Sequence, residues 1–268
     1  MIAKKYLSSS LLLASALLVL PSLRATLPDS SSANLTVGFA SGGTVTPGVV
    51  GSTLTITSTA PTTVLNWGNF WDGTAEGGTS APTDTIHYTL PLATSSLLNV
   101  VAGTGTTAAT TIAGSITSNG KIFLLNPNGI TIGATGIINT AGFYASSVPE
   151  NISYFEQNGN LQVFTTTPQV AATTGAITVT NGASITTAGS TGDIRLAANG
   201  VTLQGGTIAG NVYVVDLGAA SPVGVSIGTV ATEIVSGVGN NLTITAHSAP
   251  VTLSATGGTT VPGNLVIT

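Results

Sequence analysis

Charge is what this sequence has least of. Of its 268 residues, 5 are Lys or Arg and 9 are Asp or Glu, about 5% in a kind of chain where roughly 25% is usual. A nucleic-acid binder needs a basic surface to neutralise phosphates, and five basic residues with a pI near 4.8 cannot supply one. Cysteine is absent and methionine occurs once. That excludes a disulfide framework and a structural zinc site of the cysteine type. Long apolar runs are missing too. Mean hydropathy is +0.48, yet no stretch approaches the ~18 consecutive apolar residues of a membrane-spanning helix.

What remains is strand and turn material. The chain holds 46 threonines and 34 glycines, with 24 Val, 19 Ile, 26 Ser and 17 Asn beside them. β-Branched residues favour strands, and Gly, Asn and Ser favour turns. The charged helix formers Glu, Lys and Arg are scarce. Disordered chains are charged and poor in β-branched residues, the reverse of this composition. One long all-β domain is the expectation.

Residues 1–25 read as an address. Lys4 and Lys5 precede an apolar core, Leu11 to Leu20, and Leu23-Arg24-Ala25 offers a cleavage site, the pattern of a secretory signal peptide. Cleavage after Ala25 would leave Lys121 and Arg195 as the basic residues against nine acids, so the mature charge is 2 − 9 = −7. A chain without cysteine does not need oxidative folding after export.

Beyond the leader, short strand-like runs alternate with Gly, Asn or Ser turns. Leu54–Thr57, Ile122–Leu125, Ile130–Ile132, Ala176–Val179, Asp193–Leu196, Val201–Leu203, Asn211–Val214, Asn241–Ile244, Val251–Leu253 and Asn264–Ile267 are examples. In the C-terminal half the starts at 176, 193, 211, 241 and 264 lie 17, 18, 30 and 23 residues apart. An irregular period near twenty marks a β-solenoid. The expected fold is a single-stranded right-handed parallel β-helix with an N-terminal cap and small excursions from the coil; a sandwich or barrel is the second choice. At ~20 residues per coil, 10 to 12 coils and a rod of about 50 Å would follow.

Two segments depart from this rhythm. Asn66 to Gly73 holds both tryptophans, Trp67 and Trp71, and reads either as an aromatic plug over one end of the core or as a platform for stacking sugars. Ser147 to Pro168 carries Pro149, Glu150, Tyr154, Phe155 and Glu156, and reads as an excursion, a hairpin or short helix.

Catalytic patterns are thin. Glycoside hydrolysis needs paired carboxylates, and here the acids are scattered. Asp72, Glu76 and Asp84 could meet in a loop around a weak Ca²⁺, although solvated loop acids are the simpler reading. His87 lies in a strand-like run with its ring outward, and His247 is 160 residues away. The expectation is a non-enzyme with no catalytic residue, metal or cofactor. The competing classes are a polysaccharide-active β-helix and a Thr-rich surface- or ice-binding solenoid. Thr53-Leu-Thr-Ile-Thr57 and Thr243-Ile-Thr245 place threonines on one strand face, but the irregular spacing argues against a regular array.

Asn126-Pro127-Asn128-Gly129 is a turn sequence between two apolar strands. Pro127 fixes φ, and Asn128 and Gly129 accept positive φ. It stands within Thr111–Ile130, which contains Ser118-Asn119-Gly120-Lys121-Ile122-Phe123-Leu124-Leu125. Val64-Leu65-Asn66-Trp67-Gly68-Asn69-Phe70 precedes it, and Gly136-Ile-Ile-Asn-Thr-Ala-Gly-Phe-Tyr-Ala-Ser146 follows. In order, spacing and residue type these segments resemble the N-terminal secretion domain of filamentous haemagglutinin-type exoproteins, the passengers of two-partner secretion. The direct likeness covers about 85 residues. Relatives often carry Asn-Arg-(Ile/Val) between the tryptophan segment and the core; Asn99-Val100-Val101 stands there instead.

The resemblance implies three regions: a leader (1–25), a secretion domain (26–170) and further β-helix coils (171–268). It implies a secreted or cell-surface protein of a Gram-negative-type bacterium, exported through the periplasm. It implies recognition by an outer-membrane β-barrel transporter with periplasmic recognition domains. Asn66, Trp67, Phe70, Asn119, Gly120, Asn126, Pro127, Asn128 and Gly129 would form the secretion motif. Adhesion to a host or surface glycan or protein receptor would be the downstream role, with no nucleic acid involved.

Overall fold

The computed structural model describes residues 27–28, 30–31, 34–68, 70–71, 78–101, 109–164, 175–188, 192–204 and 206–216, together with four later strands. The leader, Asp72, Glu76, Glu233 and His247 lie outside the described residues.

Strands dominate. The N-terminal part contains β1 (Leu35–Ala40), β2 (Val45–Val50), β3 (Thr53–Ser58), β4 (Thr62–Trp67), β5 (Thr85–Thr89) and β6 (Ser96–Val101). Four coils of three strands follow. They are β7 (Thr110–Ile112), β8 (Ser115–Ser118) and β9 (Lys121–Leu125); β10 (Ile130–Ile132), β11 (Ile137–Thr140) and β12 (Gly142–Ser146); β13 (Ile177–Val179), β14 (Ser184–Thr187) and β15 (Asp193–Ala198); then β16 (Val201–Leu203), β17 (Thr207–Ala209) and β18 (Asn211–Asp216). β19 (Val223–Ile227), β20 (Leu242–Ala246), β21 (Val251–Ala255) and β22 (Leu265–Ile267) complete the chain.

Each strand pairs with its counterpart one coil away. A long sheet runs β1-β4-β6-β9-β12-β15-β18-β20-β22, a seven-stranded sheet runs β2-β3-β5-β8-β11-β14-β17, and a four-stranded sheet runs β7-β10-β13-β16. All these pairings are parallel except at the N-terminal end, where β1 meets β4 and β2 meets β3 antiparallel. This is the expected parallel β-helix with an N-terminal cap. Period-2 alternation explains it, because successive side chains point to opposite faces. In β3, Leu54 and Ile56 are buried while Thr57 is exposed. Across coils the inward residues stack in columns, such as Ile116–Ile138–Ile185–Ile208 and Leu97–Ile122–Phe143–Ile194–Val212.

The coil count corrects the sequence estimate. The long sheet holds eight mutually parallel strands, from β4 to β22, so seven steps of ~4.8 Å give roughly 34 Å rather than 50 Å. Residues outside the coils account for the difference. Thirty residues separate Ser146 from Ile177, yet β10 and β13 pair without a register shift. That excursion contains the short helix α1 (Ile152–Asn158), capped by the Asn151 side chain and closed by Gly159 at φ 61°, and a 3₁₀ turn at Gln162–Phe164.

Candidate functional site

The tryptophan segment is packing, not a platform. Trp67, Phe70 and Trp71 are 2%, 0% and 0% exposed. They meet edge to face in succession, with centroids 5.4 and 5.3 Å apart, a favoured arrangement for buried rings. No ring face is left for a sugar. Asn66, between β1 and β6 in the sheet, is half-buried.

The polar end of Trp67 leads to Asn99, which the sequence marked only by the missing arginine beside it. Asn99 faces inward on β6 and is fully buried, in the same column as Leu65 and Leu124. Its Oδ1 accepts from Trp67 Nε1 at 3.0 Å and from the Tyr88 hydroxyl at 2.8 Å, while its Nδ2 donates to the Phe123 carbonyl at 3.3 Å. One buried amide thus ties four strands, β4, β5, β6 and β9. Buried polar groups persist where they are paired. Burial pushes the Tyr88 phenol well above its usual range, the bond to Asn99 opposing this in part.

Asn119 and Gly120 occupy the corner that enters β9. The Asn119 amide clasps the backbone of Leu90 in the preceding coil, accepting from its N–H at 2.7 Å and donating to its carbonyl at 2.6 Å. Gly120 is buried; its N–H donates to Ser118 Oγ at 3.0 Å and its carbonyl receives the Ala141 N–H at 3.0 Å. Both residues therefore join neighbouring coils.

The Asn126–Gly129 corner lies at the other end of β9. The Gly129 N–H returns to the Asn126 carbonyl at 3.0 Å. Asn126 is fully buried. Its Oδ1 accepts from the Asn128 N–H at 2.9 Å and its Nδ2 donates to Thr110 Oγ1 at 2.9 Å. The side chain thus shapes its own turn and holds it to the previous coil. Gly129 has φ 113°, a region only glycine enters cheaply. The next coil closes over the turn. Gly175 donates to the Pro127 carbonyl at 2.7 Å, and a Cβ on Gly175 would collide with the Asn128–Gly129 peptide.

The structure does not gather the nine predicted residues into one pocket. By register, Trp67 and Leu125–Asn126 stand at the same ends of β4 and β9, with β6 between them. Asn119 and Gly120 precede β9 at the opposite end. Asn99 links the tryptophan to β9 through the core.

A second apolar core lies outside the coil, on the outer face of the long sheet. It joins Val64, Leu98, Phe123, Leu125 and Tyr144 to Phe155, Leu161 and Val163 of the excursion. Phe123 stacks on Tyr144 at 4.1 Å and meets Phe155 edge-on at 5.0 Å. Two charged residues pin the excursion. The Glu150 carboxylate accepts the N–H groups of Gln162 and Val163 at 3.0 and 3.3 Å. Burial pushes its pKa up to about 7, the two backbone bonds pulling the other way. Arg195 on β15 pairs with Asp193 at 2.8 Å, donates to the Phe164 carbonyl at 3.3 Å and lies 4.5 Å over the Tyr213 ring. No local motif announces the links from Glu150 to Gln162 and Val163 or from Arg195 to Phe164, which span 12 to 31 residues.

Other candidates also find their places. Asp84, read as a solvated loop acid, is fully buried and accepts the Ala81 N–H at 2.8 Å, closing its own turn. His87 is on the outer face as expected but half-buried, its Nδ1 sharing a 2.8 Å hydrogen bond with Thr117. Among the described residues no group of three or more His, Cys, Asp or Glu could hold a metal, and no helix is long and apolar enough to cross a membrane. On the four-stranded sheet, Thr111, Thr131, Thr178 and Thr202 stack in one outward column. Irregular sequence spacing was expected to prevent such an array; the loops absorb the irregularity and the column keeps register.

Against known families, the model of the TPS secretion domain matches residues 51–260. The chain belongs to the TPS secretion domain family. The haemagglutinin-type resemblance therefore holds at the level of this two-partner secretion domain. The domain is 33% identical over 134 residues to a heme/hemopexin-binding protein of Haemophilus influenzae, a match covering 50% of this chain and 13% of the relative. Its fold is similar to that of the HMW1 secretion domain from Haemophilus influenzae, with a TM-score of 0.57 and 23% identity over 87% of this chain and 61% of the other. The chain thus spans a small part of that curated relative and under two thirds of the solved chain.

Proposed function

We propose that this TPS secretion domain is the recognition end of a non-enzymatic exoprotein that is secreted to the surface or surroundings of a Gram-negative-type bacterium. A dedicated outer-membrane β-barrel transporter would take it up through periplasmic recognition domains. The observation that carries this reading is the family match across residues 51–260. Residues 1–25 would direct the chain into the periplasm, residues 26–170 would hold the recognition determinants, and residues 171–268 would extend the rod. While the chain is unfolded, its short uncharged strands suit pairing with a sheet edge of the partner. Coil stacking outside the cell then buries apolar surface with each step and disfavours return.

Within the proposed motif, Asn119 and Asn126 to Gly129 act on the fold rather than as an exposed contact. They set the two corners that bracket β9. Adhesion is the proposed downstream role, and the uncharged threonine column offers a face for a glycan-coated or hydroxylated surface. The test deletes the gene of the cognate outer-membrane barrel transporter from the producing strain and assays the culture supernatant. Loss of the chain from the supernatant supports the reading, and undiminished release refutes it. Asn126→Ala with Asn128→Ala should lower release severalfold in the intact strain.

A further inference from the structure

Three sheets stop at the N-terminal end of the rod. β1 ends the long sheet, β2 the seven-stranded sheet and β7 the four-stranded sheet. An end strand offers a row of unpaired N–H and C=O groups to any strand that arrives. These edges are also apolar: Val37, Val49 and Val50 are 48%, 54% and 83% exposed. A common guard, an edge lysine, is missing, since residues 34–71 carry no charged side chain. Each edge carries a backbone device instead, and the three differ.

In β2 the device is Pro47. Along an antiparallel pair, successive residues alternately bond their partner and turn their backbone groups outward. The Thr59 N–H donates to the Thr44 carbonyl at 3.0 Å, so Thr44 faces the β3 side, and with it Thr46, Gly48 and Val50. The two-residue turn Gly51-Ser52 fixes the same phase. Val45, Pro47 and Val49 therefore aim their backbone groups at the free edge. Proline has no N–H, so the middle donor of that row is gone. At Thr46 or Gly48 a proline would instead remove a bond to β3.

In β1 the device is a bulge. The Asn34 carbonyl accepts the Gly68 N–H at 2.8 Å, and the Ser41 N–H donates to the Thr62 carbonyl at 3.1 Å. Between these bonds the register shifts at Gly38. The outward positions become Leu35, Val37 and Ala40, spaced unevenly, and a regular strand cannot follow them. At β7 the device is shortness. The Thr111 N–H donates to the Gly78 carbonyl at 2.8 Å, and its carbonyl accepts the Ser80 N–H at 3.0 Å. This isolated bridge leaves Thr79 alone at the edge.

We propose that Pro47, the Gly38 bulge and the Thr79 bridge seal the N-terminal end of the folded rod, so that a second copy of this chain cannot join it there sheet to sheet. Pro47 is the principal guard, because β2 is six residues long, largely exposed and free of bulges. A chain this poor in charge has little repulsion to keep copies apart, and a seal built from backbone needs none. The inference is independent of how the chain is exported.

The test compares the full chain after residue 25 with its Pro47→Val and Pro47→Thr variants at rising concentration. Sedimentation velocity reads association, and amide exchange reads Val45 and Val49, whose N–H groups face the edge. Circular dichroism checks that sheet content is kept, and Pro47→Thr serves if Pro47→Val does not fold. The expected result is association at least tenfold stronger in the variants than in wild type, with Val45 and Val49 protected as the variants associate. Adding Val49→Lys to Pro47→Val should return it to wild-type behaviour. Variants that associate no more than wild type overturn the seal. So does association that leaves both amides exchanging freely, or a wild type that protects them as its concentration rises.

Discussion

Replacing Asn99 by leucine tests whether one buried amide organises the N-terminal coils. The substitution continues the column formed by Leu65 and Leu124, and in area alone it should stabilise, by about 1.5–3 kcal/mol for a fully buried leucine. It also strands two buried donors, Trp67 Nε1 and the Tyr88 hydroxyl, at about 1–3 kcal/mol each. The Phe123 carbonyl loses a donor as well. Midway through these ranges the two stranded donors cost about 4 kcal/mol against about 2 kcal/mol gained, a net loss of roughly 2 kcal/mol. With a urea slope of about 2 kcal/mol/M, the midpoint falls by about 1 M. Both tryptophans lie in these coils, so their fluorescence reports the transition locally. Tyr88→Phe supplies the decisive control. In the wild type it removes one good hydrogen bond and should destabilise. In the Asn99→Leu background it removes an orphaned hydroxyl and should restore part of the lost stability. The reasoning fails if Asn99→Leu is as stable as wild type, or if Tyr88→Phe destabilises both backgrounds equally.

Three other outcomes follow from the geometry. Gly175→Ala forces a methyl group onto the Asn128–Gly129 peptide; thermal unfolding should show a loss of about 1–3 kcal/mol, whereas alanine at exposed Gly48, where a Cβ meets nothing, should change little. Gly129→Ala places a side chain at φ 113° and should lose at least about 1 kcal/mol, read as a lower urea midpoint. Seated Glu150 has its pKa raised by burial to about 7 from an ordinary 4.5, so the excursion 148–164 holds the proton more tightly when packed on the sheet than when detached. Docking should be strongest below pH about 4.5 and weaken as pH rises through about 7. Amide exchange of residues 152–164 as a function of pH checks this, and Glu150→Gln should flatten the dependence.

The coil was legible because its physics is local. Alternation in Leu54-Thr-Ile-Thr57 and Ile130-Thr-Ile132 shows which side chains turn inward, and Asn-Pro-Asn-Gly marks its own corner. The choice between plug and platform for Trp67 was not legible, since only burial decides it. Asn99 was hidden for a related reason. It sits in Leu97-Leu98-Asn99-Val100-Val101, apolar on both faces, where alternation cannot say which residues face in. The same two-sided pattern was the trace of the outer core, but its cover lies 47 or more residues further along at Val148 to Phe164 and is held by Arg195. The coil number was overestimated because sequence spacing counts excursions as though they were rungs.

The unbroken pairing of β10 with β13 across a long intervening segment separates length from architecture. A loop contributes closure entropy that grows only logarithmically, about 0.6 kcal/mol for each doubling, while the ladder on either side keeps its partners. Corners of this scaffold can therefore gain or lose whole surface elements without renegotiating the interior. The corner after β12 is an insertion port. A foreign peptide or a small domain whose ends lie close together, spliced into an exposed corner such as Ala134–Thr135, should be displayed on the side of the rod with the columns beneath it undisturbed.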